Sequence, residues 1–349
     1  MAAIFVGCVL IFPSYTVPND LPVLVLMAQM DWLGAILHIS SITLFCVAAI
    51  SSGSTWAWNS GPTIAVWVLW GVVFISYIAQ QRFCVLTTLE QRIFPAELIT
   101  HRLIGLAALA TCCAASAYAL SLYYLPLFFA FTQGFGPVQC AIHLLPFIGV
   151  FIVSALAAGA LLPRIRWYKA FYALAGTLIL VGGALMANIS ALSSLERVLG
   201  YEAILGFGLG LVWFHGVSLS NAAVRTTKER FAAAALMNMA QLGPIAIGLA
   251  IAAAVFQNYG FSQLKDAIGD FGFGDLAIRE ALAGVMSPIW SSSDVSVALI
   301  AVIVIVDVIA KLFYIVLVGG GICLLAAAAM KWEALQFHKQ EETDIELST

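Results

Sequence analysis

A few polar side chains lie within long apolar runs, and these residues are the best placed in the sequence to bind a ligand or move a proton. They are three histidines and two amides: His38, His143, His215, Asn238 and Gln241. A neutral imidazole can hydrogen-bond a ligand or exchange a proton near neutral pH. A hydrogen bond to a neighbouring helix is the alternative role of each histidine, and both interpretations stay open.

The two amides are three residues apart, so Asn238 and Gln241 share one face of a helix. An amide in contact with hydrocarbon loses its hydrogen bonds to water, which costs free energy. We therefore expect this face to look inward, towards either a cavity or another helix.

Ionisable residues also lie near the ends of the apolar runs. Asp31 precedes Trp32 at the start of one run, where we expect it to cap a helix. Glu202 is expected in the first turn of another helix, where the helix dipole favours an acid. Asp307 and Lys311 are four residues apart and are predicted to form an ion pair, which lowers the cost of lying near lipid. A proton relay is the alternative role of that pair.

The composition of the whole chain is strongly apolar. The chain has 349 residues, of which 62% are hydrophobic and 9% are charged, and its mean hydropathy is +1.02. A soluble domain is about 45–50% apolar and about 25% charged. Both a water-soluble enzyme and a disordered chain are therefore excluded. The net charge of -3 gives no sign of a nucleic-acid partner. The sequence predicts an all-α, polytopic membrane protein in contact with a lipid bilayer.

Catalytic motifs are absent from the sequence, which contains no H-E-x-x-H, P-loop or G-x-S-x-G pattern. The seven cysteines form no C-x-x-C pair, so we interpret them as small packing residues rather than as metal ligands or disulfides. Gly206 and Gly210 fall within an apolar run and are predicted to form a packing face rather than a nucleotide loop. We therefore predict no enzyme, no cofactor and no metal.

Eight apolar runs reach the length of about 20 residues that a helix needs to cross a bilayer. Each must be helical, because backbone groups in lipid bond within their own segment. The runs are 32–52, 62–81, 103–125, 138–162, 168–189, 200–220, 232–256 and 312–331. Residues 1–12 are too short to cross and are interpreted as the stub of a preceding span. Residues 295–310 are interpreted as an interfacial or partly buried helix that leads into the last span, with a ninth crossing as the alternative.

The cations indicate how the spans are oriented. Eleven of the 15 Lys and Arg residues fall in alternate connections and in the C-terminal tail. Cytoplasmic loops carry the excess of Lys and Arg, so both chain ends are predicted to be cytoplasmic. The connection 257–294 is then the longest outer loop, and Asn188 begins an outer glycosylation sequon. Aromatic residues near the span ends are expected to form interfacial belts. As an alternative, Tyr118, Tyr123 and Phe128 line the outer mouth of a path for apolar substrates.

A series of short motifs resembles the fungal fourteen-span drug:proton antiporter branch of the major facilitator superfamily, whose members are called efflux pumps. Nine motifs follow one another in order between about residue 30 and residue 335, so the resemblance covers nearly the whole chain. Examples are the sequences at 31–35, 56–61, 92–95, 123–129, 144–147, 206–210, 238–243 and 279–284.

The resemblance implies the domain organisation. Residues 1–30 would be the stub and a cytoplasmic loop, 31–100 two extra linker spans with a cytoplasmic loop, 101–335 a C-terminal six-helix bundle, and 336–349 an acidic cytoplasmic tail. An N-terminal six-helix bundle would then be missing, so we expect a truncated transporter.

The resemblance also implies a function and a location. We expect proton-coupled efflux of small apolar organic molecules, such as toxins, drugs or secondary metabolites, across the plasma membrane. The partners would be the substrate, protons and a missing N-terminal half, and efflux would be impaired in this form. The alternative is a non-transporting membrane subunit that pairs with another half-transporter.

Site residues follow from the resemblance only by position. In the family, the first and fourth spans of each half line the central path, and here these are 103–125 and 200–220. Phe214 stands where relatives often have a glutamine, which departs from the family pattern. The candidates for the substrate path are Tyr118, Ser121, Tyr123, His143, Trp213, His215, Asn238 and Gln241.

Overall fold

A computed structural model describes residues 30–89, 91–165, 167–284, 287–291 and 295–333. The predicted stub 1–12, the cation Arg166 and the acidic tail 336–349 lie outside the described residues.

The described chain is built from α-helices, with two short 3-10 turns and no β-strand among these residues. The helices are α1 Trp32–Ser51, α2 Gly61–Phe83, α3 Ala96–Thr100, α4 Arg102–Gln133, α5 Pro137–His143, α6 Leu145–Ile165, α7 Tyr168–Met186, α8 Leu195–Trp213, α9 His215–Ala223, α10 Thr227–Ile268, α11 Asp275–Ala283 and α12 Val295–Ala329. The 3-10 turns are Gly269–Phe271 and Pro288–Ser291.

Within the described residues, eight segments are helical, long enough and apolar enough to cross a membrane, which confirms the prediction of an all-α polytopic membrane protein. Two of these spans are each made of two helices in succession, α5 with α6 and α8 with α9. The first interruption lies at Leu144, just before Pro146, which has no N–H and crowds the preceding turn. The second lies at Phe214.

Six of the eight spans pack into one bundle. Helix α12 packs against α7 and α4, α8 packs against α6 and α7, and α10 packs against α4. Alanines line the buried side of α4, which lets the neighbouring backbones approach closely. Helices α1 and α2 pair with each other outside this bundle, and α1 also packs against α10.

The two ends of the bundle carry different connections. At one end, Arg102 donates a hydrogen bond to the carbonyl of Ala329 at 2.6 Å, and Lys169 donates one to Met330 at 2.8 Å. Arg225 lies at the same end, in a cleft that it shares with residues 97–101. We call this end, defined by Arg102, Lys169 and Arg225, the basic end. At the opposite end, Asn258 donates to the carbonyl of Ser52 at 3.0 Å.

Several helices extend beyond the spans that hydropathy predicts. Helix α4 passes through Pro126 and ends at Gln133, not at residue 125. Helix α10 begins at Thr227, slightly before the predicted span 232–256, and continues well past it to Ile268. Residues 295–310 belong to the same continuous helix as the last span, so within the described chain they form no separate ninth crossing. These extensions continue the helical hydrogen bonding into parts of the chain that are not uniformly apolar.

The end of α10, helix α11 and the start of α12 form a small packed layer opposite the basic end. Its buried core contains Leu264, Ile268, Ile278, Leu282 and Ile289. The indole of Trp290 closes the layer by donating to the carbonyl of Gly284 at 3.0 Å. The predicted loop 257–294 is therefore largely helical wherever it is described.

Two local expectations are wrong. Helix α8 begins at Leu195, so Glu202 lies two turns into the helix and is fully buried rather than in the first turn. Phe128, Phe129 and Phe131 are buried in the core rather than exposed in an interfacial belt. Both errors arise because the helices start earlier or end later than their apolar runs suggest.

The predicted glycine face of α8 packs closely against α6. A Cβ atom on Gly206 would overlap the carbonyl oxygen of Phe147. A Cβ atom on Gly210 would overlap the hydroxyl of Ser154 and the carbonyl of Phe151. The two helices can approach this closely only because both positions lack a side chain.

We expect Gly210→Ala to lower the stability of the protein by about 1–3 kcal/mol, because α6 and α8 must separate to admit the methyl group. Thermal unfolding in detergent, followed with a thiol-reactive dye, measures the effect. Gly200→Ala in the same helix is the control, because a Cβ there meets nothing. Equal stability of the two variants would contradict the close packing of α6 on α8.

Candidate substrate path

Four aromatic rings from three spans come together inside the bundle. The ring of Tyr118 on α4 lies 4.6 Å from that of Trp213 on α8, between ring centroids. It also lies 5.0 Å from the ring of Phe151 and 5.9 Å from that of Phe147, both on α6. Phe151 and Trp213 meet edge to face at 5.4 Å. We call these four residues the aromatic cluster.

The aromatic cluster lies beside the interruption between α8 and α9. Trp213 is the last residue of α8, so its carbonyl lies where the regular helical bonding stops. Gln241 on α10 donates its side-chain amide to this carbonyl at 3.4 Å. Within a membrane span, non-helical backbone is tolerated where it is buried in protein or lines a cavity. The interruption therefore places a polar backbone group and an amide next to the four rings.

The cluster lies close to the middle of the spans that form it. Tyr118 is near the centre of Arg102–Gln133, and Phe151 is near the centre of Pro137–Ile165. Tyr118 and Trp213 are only partly buried, whereas Phe147 and Phe151 are buried behind them. The arrangement presents aromatic edges and one amide at the mid-depth of the bundle.

One side of this region is open in the described chain. Phe214, next to Trp213, is 61% exposed. Asn238, one turn from Gln241, is also exposed and makes no hydrogen bond within the described residues. We had expected both amides to face inward, but their environments differ. Gln241 bonds to a neighbouring helix, whereas Asn238 is uncovered.

The other path candidates do not join the cluster. Ser121 is fully buried, and its hydroxyl donates to the carbonyl of Ala117 in its own helix at 2.8 Å. His215 is buried against the ring of Phe171, and neither ring nitrogen makes a hydrogen bond of ordinary geometry within the described chain. Tyr123 is exposed on the surface of α4.

His143 lies near the end opposite the basic end. Its ring stacks on Phe135 at 4.6 Å and lies 5.8 Å from Phe129, and Nδ1 is 2.8 Å from the carbonyl of Gln139. This carbonyl belongs to its own helix, so the structure places His143 in local packing.

The pair of Asp307 and Lys311 includes a third partner that the sequence did not indicate. Lys311 Nζ lies 2.6 Å from Asp307 Oδ2 and donates to the hydroxyl of Tyr259 at 2.9 Å. The group is partly exposed and joins α12 to α10. Asn188 lies beyond the end of α7, exposed, with its amide donating to the carbonyl of Ala184 at 2.7 Å. Within the described chain, neither the Asp307–Lys311 pair nor Asn188 contacts the aromatic cluster.

Comparison with known proteins shows what the chain is similar to. No family model matches it. The efflux pump patC of Aspergillus clavatus is 30% identical over 311 residues, which is 88% of this chain and 55% of the relative. The MFS-type transporter patC of Penicillium expansum is 29% identical over 87% of this chain and 55% of the relative. The efflux pump alnA of Emericella nidulans is 29% identical over 88% and 56%.

Over most of its length the chain is similar to fungal proteins named MFS-type transporters and efflux pumps. It spans about half the length of the curated relatives that it matches. The resemblance to fungal efflux pumps that the motifs predicted is confirmed by these relatives.

Asp31, which was interpreted from the sequence only as a helix cap, also belongs to a buried polar network. The carboxylate does cap α1, accepting from the backbone N–H of Gly34 at 2.8 Å. It also accepts from the side-chain amides of Gln80 and Gln81, each at 2.9 Å, and from the N–H of Ile93 at 3.4 Å. We call Asp31, Gln80 and Gln81 the carboxylate–amide latch.

The latch fixes three segments at the basic end. Asp31 lies before α1, the two glutamines lie near the end of α2, and Ile93 lies in the following connection. Gln81 also accepts from the N–H of Phe94 at 2.9 Å, and all three latch side chains are buried. Adjacent amides near the end of an apolar run were the available signal, but their partner is remote in the sequence.

We expect Asp31→Asn to lower stability by about 1–3 kcal/mol, because both carboxylate oxygens accept hydrogen bonds and an amide would present donors to donors. Thermal unfolding in detergent gives the measurement. Asp275→Asn is the control, since that residue forms an exposed ion pair with Lys265 worth at most about 1 kcal/mol. A loss no larger than that of the control would show that the latch does not fix the pair of helices.

Proposed function

We propose that this chain forms the substrate-contacting bundle of an efflux transporter for small apolar organic molecules. The observation that carries the proposal is the aromatic cluster at mid-depth, beside an interrupted span. Transporter sites lie near the bilayer midplane and commonly use discontinuous helices. The names of the relatives, efflux pump and MFS-type transporter, support the same class of activity.

The chemistry of the cluster favours apolar, ring-bearing substrates. Tyr118 and Trp213 offer aromatic edges and faces, which prefer offset or edge-to-face contacts with another ring. Gln241 adds an amide that can orient a polar substituent.

We propose in addition that efflux is coupled to protons. The resemblance to drug:proton antiporters suggests this coupling, and Glu202 on α8 is a fully buried acid that makes no hydrogen bond of ordinary geometry within the described chain. Acids inside membrane spans are costly and commonly mark ion pathways.

We further propose that transport needs a second bundle facing Tyr118 and Trp213, supplied either by more chain or by a separate polypeptide. The exposed amide of Asn238 supports this proposal, because an uncovered amide in hydrocarbon is unfavourable. A non-transporting subunit that pairs with another half-transporter is the alternative that the same observation favours.

The activity is tested in yeast cells that lack their own efflux pumps and are loaded with Nile red, an apolar ring-bearing dye. We expect little export by this chain alone and export when the N-terminal half of the Aspergillus clavatus relative is co-expressed. A proton ionophore should abolish that export. Export in neither case would contradict the proposed function, and export that survives the ionophore would contradict proton coupling.

In the exporting combination, Trp213→Ala should reduce the export rate about tenfold, because it removes a ring contact and apolar area from the path. Tyr314→Ala is the matched control, since Tyr314 is exposed on α12. An equal effect of both substitutions would place the path elsewhere.

We propose that the basic end faces the cytoplasm of the plasma membrane, with the C-terminus on that side. An impermeant maleimide should label Asp270→Cys in intact cells and Arg225→Cys only after permeabilisation, because the two positions lie at opposite ends of α10 or just beyond it. The wild-type chain supplies the background from its own thiols. The reverse labelling pattern would overturn the orientation.

A further inference from the structure

A cavity lies away from the aromatic cluster, between the pair α1/α2 and the bundle. Its volume is about 450 Å³, within the range of about 300–1,000 Å³ that is typical of small-molecule sites. Helices α1, α2, α4 and α10 all contribute to its walls. Helix α10 therefore separates the cavity from the aromatic cluster. Its Gln241 contacts Trp213, whereas its Ala240 and Gly243 line this cavity.

The walls of the cavity are mostly aromatic and aliphatic. Phe45 and Trp70 lie 5.6 Å apart, and Trp70 stacks on Phe74 at 5.4 Å, between ring centroids. All three residues line the cavity. A flat ring system that enters here would meet aromatic faces on one side and the aliphatic surface of α10 on the other.

Three polar side chains lie among these apolar walls without a hydrogen-bond partner. Tyr77 is 9% exposed, and its hydroxyl has no partner in the described chain. The centroid of the His38 ring lies 5.3 Å from that of Tyr77, and this ring contact is the interaction that the His38 side chain makes in the described structure. Ser41, one turn along α1 from His38, is buried and likewise makes no hydrogen bond there. All three line the cavity.

Unpartnered polar groups in an apolar site are unfavourable, and buried ones need an explanation. An imidazole and two hydroxyls can both donate and accept, so one oxygen-bearing group between them would satisfy all three. An acyl chain of a phospholipid would fill the apolar part but would offer these groups nothing. The chemistry therefore favours an amphipathic ligand over a plain hydrocarbon chain.

We propose that this cavity is a binding site for a small amphipathic molecule whose ring-bearing apolar body packs on Phe45, Trp70 and Phe74 and whose oxygen-bearing end meets His38, Ser41 and Tyr77. The site is distinct from the aromatic cluster, and its existence does not depend on whether the chain transports. The polar end lies towards the basic end, where Tyr77 approaches the end of α2.

The test uses the full chain in lipid nanodiscs and 4-hydroxybenzophenone, a two-ring probe with a phenol and a ketone that forms a bond to nearby C–H groups on irradiation. Peptide mass spectrometry locates the label. We expect saturable labelling concentrated on α1, α2 and α10.

Tyr77→Phe should reduce this labelling about fivefold, because it removes one hydrogen bond to the ligand. It should not destabilise the protein, since the hydroxyl has no partner to lose. Tyr172→Phe is the matched control, because Tyr172 is also buried with an unpartnered hydroxyl but lies in α7 and does not line the cavity.

Gly243→Leu should also block labelling by filling the cavity. A Cβ on Gly243 would make only an ordinary 3.6 Å contact with Ile42, so the backbone need not move. Gly159→Leu on α6 is its control, because a Cβ there meets nothing.

Two outcomes would overturn the proposal. Labelling spread evenly over all lipid-exposed helices would show that the cavity is a gap in the packing. Labelling that Tyr77→Phe leaves unchanged and that added phospholipid displaces would assign the cavity to an acyl chain. Because the readout is binding, a failure of the efflux assay would not affect this result.

Discussion

The fold depends on one constraint, which is that backbone N–H and C=O groups in the hydrocarbon must find partners inside their own helix. This requirement makes each apolar run a helix and makes every interruption costly. Helix α4 passes through Pro126, although proline leaves the carbonyl of Leu122 without its usual donor. The tight burial of Phe128 and Phe129 in the following turns provides packing that offsets the lost bond. The interruptions at Leu144 and Phe214 therefore stand out as places where other interactions must compensate.

The same constraint explains why the number of spans was predictable while their ends were not. Hydropathy detects the part of a helix that lies in lipid, and it located the eight spans found in the part of the chain that the structure describes. It says nothing about where a helix continues after it leaves the lipid. Helix α10 continues to Ile268 because Leu264 and Ile268 pack beneath α11, and the start of α12 packs against the 3-10 turn Pro288–Ser291. These contacts join separate elements, so the hydropathy of a single apolar run does not indicate them.

The candidate site was predictable only in part. Tyr118 and Trp213 were found by the position of their spans, and Gln241 by its polarity within an apolar run. Phe147 and Phe151 were missed, because phenylalanines at helical spacing are indistinguishable from ordinary core residues in a membrane protein. Asp31 was correctly interpreted as a cap, but its bonds to Gln80 and Gln81 depend on how α1 and α2 pair. Ser121 and His215 have polar side chains of the right kind, yet the rotation of their helices turns both into the packed interior.

Helix α10 connects the two candidate ligand sites of the molecule, the aromatic cluster and the cavity beside α1 and α2. One side of this helix carries Gln241, which bonds to the interruption beside the aromatic cluster, and the other side lines the cavity with Ala240 and Gly243. Pro244 lies between Gln241 and the packed layer opposite the basic end, and it leaves the carbonyl of Ala240 without its helical donor. Ser116 on α4 donates to the carbonyl of Pro244 itself at 3.0 Å, which ties this turn to the bundle. Because Gln241 and the cavity-lining residues belong to the same helix, a shift of α10 at this turn would change the width of the cavity and the position of Gln241 together.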